Sequence, residues 1–155
     1  LGDAVNHLAN NMNATAGSIL NFLNRAGSVG KTVGMASADI SAIGAAMIDL
    51  KTPPEVAARA FSSLAMTLTT ASSATKEAQA AYKNLGFTGA QMEKMFIEYA
   101  TGAILKFLDA VKQSANPIGN LKSIVGQGFA DDIAKLADGT DKMRAALGLV
   151  GEEAK

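Results

Sequence analysis

Apolar residues recur along this chain at spacings of three and four, and glycine, proline or small polar residues interrupt them at short intervals. That pattern allows amphipathic helices and little else. It is strongest over residues 102–112, where Ile104, Leu105, Leu108 and Val111 share a face and Phe107 lies beside them. No run alternates with a period of two, so no strand is expected. The fold class expected is all-α: a compact array of about eight short helices with no sheet.

Local signals place the helix ends. Thr15 can cap a helix carrying Ile19, Leu20, Phe22 and Leu23, with Gly27 ending it, and a short helix over residues 29–35 follows. Ser37 can cap the next, with Ile40, Ile43, Met47 and Ile48 on one face and Leu50 closing it. In Thr52-Pro53-Pro54-Glu55 the threonine is read as N-cap, Pro53 as the first helical residue and Glu55 as the closing residue of a capping box. That helix runs to about Ala71. Thr88-Gly89-Ala90-Gln91 is a second capping box, Gly86 a helix-ending glycine, and Asn116-Pro117 a turn. Three helices then cover about residues 118–125, 129–136 and 140–147.

Composition qualifies the pattern. The chain has 30 alanines against 36 valines, isoleucines, leucines and phenylalanines, so helices can approach closely but large core side chains are few. Fifteen glycines argue for a bent array over one long rod. A net charge of zero gives no broad attraction for nucleic acid or an anionic membrane. With no cysteine and a single histidine, His7, thiolate and multi-histidine metal sites are excluded. Charge is uneven, with 8 charged residues in the first 75 and 20 in the remaining 80. The charge-poor half supplies either the more buried helices or a surface for a partner.

Few segments suggest chemistry. Ala26-Gly27-Ser28-Val29-Gly30-Lys31-Thr32 ends like a phosphate-binding loop, but Arg25 stands where the first glycine belongs, and a helix precedes it where a strand is needed. Gly30 and Gly34 have the spacing of close helix contact. Met92, Met95, Phe96 and Tyr99 form a soft stripe, read as core with the Tyr99 hydroxyl at its edge. Asp131 and Asp132 are adjacent, hence about 100° apart on a helix, and fit a first turn better than a cation pair. No catalytic, cofactor-binding or metal-ligating residue is assigned.

Several segments, taken in order, carry a family likeness. They are Asn6-His7-Leu8-Ala9-Asn10, Phe22-Leu23-Asn24-Arg25-Ala26-Gly27-Ser28, Val33-Gly34-Met35 and Ile43-Gly44-Ala45-Ala46-Met47. They continue with Thr52-Pro53-Pro54-Glu55-Val56-Ala57-Ala58-Arg59-Ala60-Phe61, Lys83-Asn84-Leu85-Gly86 and Ile124-Val125-Gly126-Gln127-Gly128-Phe129-Ala130. Together they resemble the conserved helical region of the tape measure proteins of long-tailed phages and prophages. The resemblance implies a structural virion protein and not an enzyme. Its parent chain would lie extended in the tail tube, set tail length and leave the tail at infection. It implies a virion-tail location, with host cytoplasm during assembly. Partners would be other tail proteins or other copies of the chain, without specific nucleic acid, and with membrane contact only during infection. The chain opens on Leu1, and residues 1–155 are expected to be one helical domain excised from a longer protein. The alternative is a membrane-active helical domain taking part in genome delivery, motivated by the charge-poor half and its small residues.

A contact surface is expected between about residues 28 and 71. The helix after Ser37 is the best candidate, because Ala38, Ala42, Ala45 and Ala46 leave room for close approach beside Ile43 and Met47. The occupant would be another copy or a neighbouring segment of the parent chain. On this reading Ala45→Glu disrupts assembly and leaves helix content nearly intact.

Overall fold

The computed structural model describes residues 1–153; the last two residues of the expected domain lie outside it. Among the described residues there are ten α-helices and no strand. They are α1 (Gly2–Asn11), α2 (Ala16–Thr32), α3 (Ser37–Asp49), α4 (Pro54–Thr69), α5 (Lys76–Asn84), α6 (Gly89–Glu98), α7 (Ala100–Gln113), α8 (Pro117–Val125), α9 (Gln127–Asp138) and α10 (Thr140–Glu153), with one 3-10 turn at Ala71–Ser73. The expectation of about eight helices is therefore too low, while the all-helical class holds.

Side-chain caps fix several helix starts. Thr15 accepts from the Ser18 amide, Thr75 from Ala78 and Asn116 from Gly119. The Thr88–Gln91 capping box is formed in both directions, at 3.0 and 2.8 Å. Gly86, at φ +93, follows α5; its amide donates to the Lys83 carbonyl and the Phe87 amide donates to that of Tyr82. These two bonds define a Schellman ending.

Three expected boundaries move. Gly27 does not end α2, which continues to Thr32 and absorbs the separate helix expected over residues 29–35. A mid-helix glycine costs only about 1 kcal/mol, and burial of Ile19, Phe22, Ala26 and Gly30 on one face of α2 outweighs it. Ser37 is the first residue of α3, not its cap; Ala36 holds the cap position without a side-chain bond. Pro53, not Thr52, caps α4, and Pro54 is first in the helix. Either proline suits a helix start, so the register slips by one residue.

The core is built around α2, which packs on both α3 and α4. Phe22 of α2 meets Phe61 of α4 edge-on, with ring centroids 5.7 Å apart. Small residues let α2 and α3 approach closely. A Cβ on Gly44 would lie 2.3 Å from the Phe22 ring, and one on Gly30 would lie 2.4 Å from Ile40. Gly30 thus makes the expected intramolecular helix contact; Gly34, at φ +87, instead turns the chain out of α2. Beyond α4, α5 packs on α8, α8 on α9, and α7 on α6 and α9. Tyr82 and Phe107 form the second edge-on aromatic pair, 6.4 Å apart. The first and last helices close the molecule: α1 and α10 pack on each other and both cover α3.

Candidate functional site

The small-residue helix α3 is the candidate contact element, and its surroundings decide what it can touch. Every residue from Ile40 to Met47 is buried. Ala42, Ala45 and Ala46 have no exposure, Met47 has 1 %, and Ala38 is half-buried. Their cover comes from within the chain: α2 on one side, α10 and α1 on the other. In this closed fold Ala42, Ala45, Ala46 and Met47 present no free surface, and this part of the charge-poor segment supplies core. Ala45→Glu would therefore place a carboxylate in the apolar interior and act on the fold itself.

Polar contacts pin this cover at its edges. Asp49, at the end of α3, accepts the Asn13 amide at 2.7 Å through Oδ1, and its Oδ2 faces Lys142 Nζ of α10 at 3.4 Å. Arg144 of α10 pairs with Asp109 of α7. That pair holds the Arg144 guanidinium above its usual pKa, first through the hydrogen bond and then through the attraction of charge. At the start of α3, Asp39 accepts the Thr101 hydroxyl at 2.9 Å. Sequence reasoning did not find Lys142, Arg144 or Asp49. Their pairings span 35 residues or more in sequence and leave no local pattern.

The other sequence candidates are placed as follows. Residues 26–32 lie wholly inside α2, so their amides are committed to the helix and cannot cradle a phosphate. Met92 and Phe96 are core, and Met95 is half-buried against it. Tyr99 is 64 % exposed at the non-helical break between α6 and α7. Asp131 and Asp132 lie in the first half of α9. Among the described residues no three metal-ligating side chains cluster, and no helix is long and apolar enough to cross a membrane. Open depressions lie on the surface of the described residues. One of about 240 Å³ is lined by Arg25, Glu55, Arg59, Ser62 and Phe129.

This domain, closed by helix packing and polar pins, has a counterpart among known families. The sequence pattern of phage-related minor tail proteins matches residues 1–126, covering α1 to α8. The chain belongs to the phage-related minor tail protein family. Membership of this tail family gives it a structural role in the phage tail. A probable tape measure protein of Halomonas phage phiHAP-1 is 32 % identical over 112 residues, or 72 % of this chain. The aligned stretch is only 13 % of that relative, so the chain spans a small part of its length. No solved structure matches. The minor-tail match stops just before α9, and so leaves out α10, one of the helices that cover α3.

Proposed function

We propose that this chain is a folded structural domain of a tape measure protein, contributing to tail assembly and tail-length determination through helix packing and protein–protein contact. The observation that carries the reading is the match to a tape measure protein over nearly three-quarters of this chain, within a much longer relative. The fold supports it, since the family-matched residues 1–126 form a packed helical core. Its partners on this reading are other tail components and other copies of the chain, met in the virion tail and, during assembly, in the host cytoplasm. In-frame deletion of the segment from the parent gene of a phage that carries it tests the proposal. The expected result is fewer assembled tails, or tails of altered length, by electron microscopy. Tails in normal number and of unchanged length would sink it.

A further inference from the structure

The junction between α9 and α10 is a single residue. Asp138 ends one helix, Thr140 begins the next, and Gly139 stands between them at φ −106, ψ 33. Gly139 already serves both hydrogen-bond ladders. Its amide donates to the Lys135 and Leu136 carbonyls, and its carbonyl accepts from the Lys142 and Met143 amides. One pair of dihedral angles therefore separates the bent pair from a continuous helix over residues 127–153.

The packing of α10 makes that bend consequential. It rests chiefly on the sequence-distant α3 and α1, and only lightly on α7 and its chain neighbour α9. Met143, Ala146 and Val150 are buried beneath it, and Lys142 and Arg144 pin it to Asp49 and Asp109. Straightening would carry this apolar face into water and uncover α3, so an open monomer is unfavourable. A second open copy removes the difficulty. Its α10 has the shape, apolar face and two cations that this trough already accepts, and reciprocal exchange reburies every surface. Short hinges between packed elements are where such exchange arises.

We propose that Gly139 is a hinge through which α9 and α10 join into one helix, so that α10 leaves its own α3 and docks on the α3 of a second copy. The α3 face containing Ala38, Ala42, Ala45, Ala46 and Met47 then becomes a contact between copies, with α10 as its occupant. The proposal holds whether or not the domain sets tail length.

Gly139→Ala tests it. Alanine favours the continuous helix by about fivefold per chain, hence roughly 25-fold in the dimerisation constant for two hinges. In the bent form its Cβ would lie 2.6 Å from Leu50, which would have to turn aside. The expected result is a dimer by light scattering at concentrations where the parent sequence is mostly monomeric. Identity of the interface is read separately. The chain has no cysteine, so Asp109→Cys in one copy and Arg144→Cys in the other carry unique thiols. A short bis-maleimide should link the two copies to each other after they are unfolded and refolded together, with Gly139 retained or replaced. A dimer of Gly139→Ala that gives no 109–144 link between copies overturns the proposal. So does a strict monomer at high concentration. Should Gly139→Ala fail to fold, the refolded pair with Gly139 intact decides alone: links between copies support exchange, and their absence refutes it.

Discussion

Lys51 is the only non-glycine among the described residues with positive φ, at 73°. It follows α3, and its amide donates to Ile48 while that of Thr52 donates to Met47, the same ending that Gly86 makes after α5. A side chain in the left-handed region costs roughly 1–2 kcal/mol. Lys51→Gly should therefore raise stability by about 1 kcal/mol, read as a shift of the urea midpoint at constant slope. Tyr82 shows a different cost. It has no exposure, and its hydroxyl finds no partner among the described residues. Burial pushes its pKa up to about 12. The folded state thus holds its phenolic proton over a range where the unfolded chain, titrating near 10, releases it. Stability from this group is complete below pH 10 and is lost as pH rises through 12, at about 1.4 kcal/mol per unit. Tyr82→Phe should match or exceed the parent by about 1 kcal/mol at pH 7, where an unbonded buried hydroxyl only costs. Its advantage should widen by about 1.4 kcal/mol at pH 11. Denaturant titrations of both proteins at pH 8 and 11 check this; a constant gap would mean that Tyr82 has water or a partner.

At the scale of elements, helix contact rests on where glycine is tolerated and where it is required. Gly27 and Gly44 are both helical, yet a Cβ on Gly27 meets nothing within 4 Å, whereas one on Gly44 would enter the Phe22 ring. Phe22 is fully buried and held edge-on by Phe61, so it cannot yield cheaply. Gly27→Ala should stabilise by up to about 1 kcal/mol through helix propensity. Gly44→Ala should destabilise by about 1–3 kcal/mol despite the same gain. Thermal unfolding of the two variants should move in opposite directions. The same contrast explains what could be read from sequence. The caps at Thr15 and Thr88 were legible because the partner lies three residues away. The extension of α2 through Gly27 was not, because burial of distant residues decided it. The small-residue character of α3 was legible as close packing, but its occupant was not. Nothing in residues 37–49 encodes that α10, some ninety residues later, would cover them. The charge-poor first half had two readings, and the burial of Ile40 to Met47 favours the core.

At the scale of the whole molecule, the fold bears on how a tape measure domain would contribute to length. A single helix rises 1.5 Å per residue, so 155 residues drawn out as one helix would span roughly 230 Å. A packed domain of that size is only about 40 Å across. Ten short helices meeting at glycine, proline and single-residue corners describe the second case, and the aromatic pairs between α2 and α4 and between α5 and α7 would be lost in the first. If the domain keeps this fold in the tail, it adds little to a ruler whose length comes from elsewhere in the parent chain. Deleting residues 1–155 in frame should then shorten any tails that still form by no more than about 40 Å, while reducing how many form. A deletion of a continuous rod would remove roughly 230 Å instead. Tail lengths measured by electron microscopy separate the two outcomes, a loss of about 40 Å against one of roughly 230 Å. Shortening near the larger figure would show that the packed fold opens before the tail is finished, and the buried faces of α3 and α10 would then be exposed within the tube.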